Sequence, residues 1–242
     1  MRLGESRKES MRTEFHFAEI TPTILPRPRN RQACVPLRTG NCPACASHVA
    51  VPFLEEELRP LATVNWPQTQ AEATSMKLLP LAFMRCVHCG HVYNRKFRYH
   101  EVPYSCKPNL MFNEGSGWRT HIEAINDLLV QYLPEDPTVV EIGCGDGHLL
   151  RALAGRFRQG RYVGFDPHAK FHRDGRVEFR GELFIPERHL SGLQPNMLVC
   201  RHVLEHLESP LEFLETIAAS ASCSGAETWL FAEVPCIDRV FE

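Results

Sequence analysis

Glu141-Ile142-Gly143-Cys144-Gly145-Asp146-Gly147 stands between a β-branched run, Thr138-Val139-Val140, and an apolar-spaced segment, His148-Leu149-Leu150-Arg151-Ala152-Leu153. The pattern predicts a strand, a glycine-rich turn and a helix. Glycine suits such a turn because the backbone must reach positive φ and pass close to a ligand. A dinucleotide site spaces its glycines G-x-G-x-x-G so that a pyrophosphate meets bare backbone at a helix N-terminus. Here the spacing is G-x-G-x-G with the carboxylate of Glu141 beside it. That charge repels a pyrophosphate and suits a cationic ligand carrying an amino group and a sulfonium.

The next predicted strand is Arg161-Tyr162-Val163-Gly164-Phe165, and Asp166 stands at its end, where an acidic side chain can accept both hydroxyls of a ribose. The blander reading makes Asp166 a cap for the loop Pro167-His168. Taken together, Glu141, the three glycines and Asp166 resemble the class I S-adenosylmethionine-dependent methyltransferases. In that class an E/D-x-G-x-G-x-G motif is followed by an acidic end to the second strand. The resemblance implies an α/β fold with a Rossmann-like sheet and S-adenosyl-L-methionine as methyl donor.

The chain has 242 residues and a formal net charge of −2, so no basic field over the whole molecule recruits nucleic acid. No run reaches the roughly 18–20 apolar residues of a membrane span, and the first residues alternate charges without an apolar segment. A cytoplasmic protein is the expectation. Residues 1–38, with Pro22, Pro26, Pro28 and Pro36 among several arginines, read as a disordered leader.

Ten cysteines in a reducing compartment are read first as metal ligands or buried apolar groups. Cys42-Pro43-Ala44-Cys45 and Cys86-Val87-His88-Cys89 are two C-x-x-C turns separated by forty residues. Each turn sets two thiolates on one side of a tight loop, and two turns complete a closed four-thiolate shell for structural Zn2+. Disulfides, a redox dithiol and unrelated buried thiols are the competing readings. Gly90 fits the turn, 81–85 and 91–94 read as short strands, and the polar stretch 62–75 reads as a loop.

Trp118, Ile122, Ile125, Leu128, Leu129 and Tyr132 mark an amphipathic helix. Further strands are expected at 176–180, 197–200 and 228–232, with a helix from the capping box Ser209-Pro210-Leu211-Glu212 to about Ala219. Only the nine residues 167–175 separate the second and third strands, leaving room for one or two helical turns. The chain ends soon after the fifth strand, so the sheet is expected to be incomplete at the C-terminus, as in a fragment or truncated product. The boundaries expected are 1–38 leader, 39–100 zinc-binding module, 101–117 linker and 118–242 methyltransferase domain.

A zinc-ribbon-like module directly before this domain, with Trp118-x-x-His121, Val203-Leu204-Glu205-His206-Leu207-x-x-Pro210 and Glu233-Val234-Pro235, resembles the zinc-containing sugar C-methyltransferases. The resemblance implies C-methylation of a ketodeoxysugar nucleotide or related small-molecule acceptor. It places Glu141, Gly143, Cys144, Gly145, Gly147, Asp166, Glu182, Leu183, Arg201 and His202 on the donor, with Glu182 and Leu183 facing adenine. The family's acid and base residues lie past strand five, so no catalytic base is carried over. His202, Glu205 and His206 are read as a polar loop rather than a base. Small-molecule O- or N-methylation stays open, as does a non-catalytic zinc-ribbon interaction protein; an RNA methyltransferase fits less well because the charge is neutral and the cysteines are far apart.

Overall fold

The computed structural model describes residues 38–39, 41–61, 67–102, 115–224 and 227–235. The stretch read as a leader lies outside them except for Arg38, which already belongs to a strand. The N-terminal sheet is antiparallel, in the order β1-β2-β3-β4, with β1 Arg38–Thr39, β2 Val49–Pro60, β3 Leu78–Cys86 and β4 Val92–Asn94. It is dominated by one long hairpin. β2 runs past the point where its apolar alternation fails at Glu55-Glu56-Glu57, because its backbone is carried by pairing with β3 as far as Pro60 opposite Leu78. Two register shifts interrupt the ladder. The stretch 62–75, expected as a loop, holds a short helix α1, Gln70–Thr74, capped by the Thr69 hydroxyl accepting from the Glu72 N–H at 3.2 Å.

The second sheet has six strands in the order β10-β9-β5-β6-β8-β7. A long helix α2, Ser116–Val130, precedes β5, Thr138–Ile142, and α3, His148–Ala154, links it to β6, Arg161–Phe165. There is no crossover helix after β6. The chain forms β7, His172–Asp174, and turns back antiparallel into β8, Val177–Arg180, which pairs parallel with β6. The expected one or two helical turns are replaced by this hairpin because the Gly175 turn, at φ 58°, lets nine residues close on themselves. Then follow α4, Pro186–Leu193, β9, Met197–Arg201, α5, Pro210–Ser224, and β10, Trp229–Glu233. α5 extends beyond the Ala219 expected from sequence.

β5 and β9 read as near-continuous apolar or β-branched runs, as strands covered on both faces do, whereas Trp229 and Leu230 of β10 are exposed. Leu129, Leu150, Leu153 and Tyr162 close one face of the sheet, under α2 and α3. Val140, Val163, Leu190, Leu198 and Ile217 close the other, under α4 and α5. After β5 the chain builds outward to β6 and β8, then returns to place β9 on the opposite side of β5. That reversal between β5 and β9 opens a crevice at their C-terminal ends, where ligands of open α/β sheets bind. Among the described residues no helix is long and apolar enough to cross a membrane.

Candidate functional site

A cavity of about 590 Å³ lies in this crevice, within the range of small-molecule sites. The turn after β5 forms its floor. The N–H groups of Gly143 and Cys144 both donate to the Phe165 carbonyl, at 2.7 and 3.1 Å, which ties the turn to the end of β6. Gly143 sits at φ 72°, and a Cβ there would lie 2.4 Å from Val203 Cγ2, so a side chain would be forced against the opposite wall.

Asp166 caps its loop, as the blander reading has it, and also braces the glycine turn. Its Oδ1 caps the loop by accepting the His168 N–H at 2.8 Å, and its Oδ2 accepts the Gly145 N–H at 3.0 Å. Each oxygen keeps a lone pair, and the carboxylate lines the cavity. Glu141 is buried to 4% exposure, and among the described residues its Oε2 has no partner. Burial pushes its carboxyl up to about 8; Arg201 opposes this, and Asp146 and Asp166 add to it.

All the residues assigned to the donor from sequence line this cavity except Gly147. Gly147 stands behind the wall instead. It adopts φ 75° at the start of α3, and a Cβ would fall 2.1 Å from the Phe179 ring, so its role is close packing of α3 on β8. We therefore expect Gly147→Ala to lower stability by about 2–5 kcal/mol, from left-handed backbone strain plus overpacking. Gly90→Ala, with φ 78° and open space around it, costs only the strain, about 1–2 kcal/mol. Urea unfolding of the two variants checks the contrast.

Cys144 reaches the wall through the turn, while its thiol is buried against Gly164 of β6. Leu183 is 63% exposed at the rim. Glu182 is not free: its carboxylate lies 3.5 Å from Arg188 and 3.8 Å from His189. At the opposite end Arg201 is buried, its Nε bonded to Glu233 and its guanidinium over the Trp118 ring at 5.4 Å. His202 holds φ 53°, a strained value for a non-glycine residue. Its Nδ1 lies 3.6 Å from Glu205, and its buried Nε2 makes no hydrogen bond to the described residues.

The association of Glu233 with His121, at 2.7 Å, was not anticipated as part of a site. The two residues are 112 positions apart, and only their family motifs singled them out.

The four cysteines of the paired turns converge. Their sulfurs all lie within 4.8 Å of one another, with Cys42–Cys89 and Cys45–Cys86 both at 3.7 Å. A tetrahedral ion with metal–sulfur bonds of about 2.3 Å sets its ligands about 3.8 Å apart, so the sulfur positions fit such an ion. A disulfide, with sulfurs about 2.05 Å apart, does not fit them. The turns are built alike: Ala46 N–H bonds the Cys42 carbonyl and Gly90 N–H bonds the Cys86 carbonyl. Ala46 takes φ 56° where its counterpart Gly90 takes φ 78°. A left-handed alanine is strained, so Ala46→Gly is expected to raise stability by about 0.5–1 kcal/mol in urea unfolding.

A largely parallel sheet with a carboxylate-flanked glycine turn at its reversal point, and an acidic end to the next strand, defines a Rossmann-like class I methyltransferase. A family of methyltransferase domains matches residues 118–240, and the chain belongs to that family. The methyltransferase domain implies S-adenosylmethionine as the methyl donor. A search of curated proteins finds no match.

Proposed function

We propose that the protein binds S-adenosylmethionine in the β5–β9 crevice and transfers its methyl group to a small molecule, with a ketodeoxysugar nucleotide or a related acceptor as the leading class. The observation that carries the donor assignment is one cavity bounded by Glu141, the Gly143–Gly145 turn and Asp166. The residues fit the group. Asp166 offers free lone pairs to two ribose hydroxyls, and Glu141 offers an unpartnered oxygen to an ammonium. Bound there, the donor supplies an electrophilic methyl; the chain aligns it and keeps water out. Support for a small acceptor comes from the modest cavity and the near-neutral charge. Incubation with methyl-tritiated donor and separate panels of nucleotide sugars, phenols, amines and RNA tests this. Label in a small molecule is expected; label in RNA alone would overturn the small-molecule reading.

Glu141 makes donor binding pH-dependent. With its carboxyl raised to about 8, it is mostly protonated in the free protein at neutral pH, and a ligand's ammonium group binds its charged form. Affinity for S-adenosylhomocysteine is therefore expected to rise as pH goes from 6 toward 8, with release of up to about one proton. Glu141→Gln should flatten that rise. Calorimetry in buffers of different ionisation enthalpy measures the released proton directly.

Cys42, Cys45, Cys86 and Cys89 would hold Zn2+ in a closed shell, and the ion would tie β3 to the turn before β2. With all four positions occupied by protein, the ion has no open site for substrate. Its contribution is to folding.

A further inference from the structure

Glu233 joins three elements at the inner end of the donor cavity. From the end of β10 its Oε2 accepts from Arg201 Nε of β9, and its Oε1 meets His121 Nε2 of α2 at 2.7 Å. The same Oε1 lies 3.5 Å from His202 Nε2, and the Glu233 backbone carbonyl accepts the His202 N–H at 2.9 Å. Burial alone would raise the Glu233 carboxyl, but the bonds from Arg201 and His121 outweigh it and hold the group below the usual carboxylate range. The guanidinium is thus fixed on two sides, by the Glu233 carboxylate and by the Trp118 ring. Arg201 is 9% exposed and lines the cavity, yet among the described residues its Nη2 has no partner. A buried guanidinium nitrogen without an acceptor is costly. An anionic or carbonyl oxygen of a ligand would complete it.

On the neighbouring strand β5, Glu141 lines the same cavity and presents an acid oxygen without a partner among the described residues. An acid and a cation lining one cavity match the two charges of an amino acid. We propose that Arg201 takes the carboxylate of the donor's amino-acid end, and that Glu233, braced by His121, is the residue that positions Arg201 to do so. This rests on the donor reading above. Arg201 would touch the ligand; Glu233 acts only through Arg201. The planar guanidinium suits the task better than an ammonium, because Nε can stay on Glu233 while the outer nitrogens face the ligand.

Two ligands that share a nucleoside separate this proposal from its foundation. S-adenosylhomocysteine carries the amino-acid end, and 5′-methylthioadenosine lacks it. In calorimetry Arg201→Met should weaken S-adenosylhomocysteine about 30-fold or more, the scale of losing one partner of a buried charge pair. Binding of 5′-methylthioadenosine should stay within about threefold, which also shows that the variant is folded. Arg201→Lys, which keeps the charge but loses the fork, should fall between. Glu233→Ala should weaken S-adenosylhomocysteine about tenfold and spare 5′-methylthioadenosine. Glu233→Gln, which still offers Arg201 Nε an oxygen, should recover most of that loss. If Arg201→Met weakens both ligands equally, or neither, the carboxylate assignment is wrong. If Glu233→Ala leaves S-adenosylhomocysteine unchanged, or costs both ligands alike, the positioning role is wrong. A wild-type chain that binds neither ligand removes the donor reading itself, and this proposal with it.

Discussion

Cys86→Ser is expected to yield a chain that retains far less than one zinc ion per molecule and has lost the β1–β4 sheet. The reason is the size of that sheet's core. Apart from the cysteines, Ala50, Ala82 and Met84 are its buried apolar residues among those described, while Phe53, Leu58 and Leu78 are exposed. Ordering each residue costs roughly 1–2 kcal/mol in backbone entropy, far more than so few side chains return. Structural zinc sites contribute on the order of 10–16 kcal/mol of apparent binding free energy in small folds, so losing one thiolate removes the principal source of stability. Without an ion, burial pushes the Cys42 thiol up to about 12, whereas backbone N–H groups of its own turn hold Cys86 down at about 6, so the apo cluster mixes thiol and thiolate. The parallel sheet has its own two apolar layers and should survive. Metal analysis under reducing conditions, with near- and far-ultraviolet circular dichroism, reads both outcomes. A wild-type chain without zinc, or a fully folded Cys86→Ser chain, would contradict the assignment.

Asp166→Ala is expected to weaken S-adenosylhomocysteine about 100-fold in calorimetry, the equivalent of two lost hydrogen bonds to a charged group. The substitution removes the acceptor of the Gly145 N–H as well as the group that would hold the ribose. The glycine turn thus loses an anchor while the ligand loses a contact. Asp166→Asn keeps an acceptor oxygen and should lose less. Retention of affinity within about threefold in the alanine variant would mean that Asp166 is only the loop cap that its bond to the His168 N–H also makes it.

Much of the parallel sheet was legible because its strands are continuous β-branched or apolar runs bounded by turn residues, and because the turn at Gly143 demands a residue type that sequence displays. The misses share a cause: segments whose conformation is set by partners rather than by their own pattern. β7, His-Arg-Asp, has no apolar residue and exists by pairing with β8. α4 is eight residues long and starts on Pro186, too short to show a helical period. β2 continues through three consecutive glutamates because β3 lies beside it. In the site, Glu141 and Asp166 could be read because they flank a glycine motif. Gly147 belongs to the same motif, yet tertiary packing against Phe179 gives it a different task. The Glu233–His121 contact joins the last strand to the first helix of the sheet, a distance that no local pattern records.

Every functional role proposed for the parallel sheet depends on the methyl donor binding in the β5–β9 crevice. A crystal structure of the chain grown with S-adenosylhomocysteine tests it most directly. The ribose hydroxyls are expected on Asp166 and the amino-acid end between Glu141 and Arg201. Clear density for the ligand at any other place, or a crevice that stays empty at saturating ligand, would contradict it.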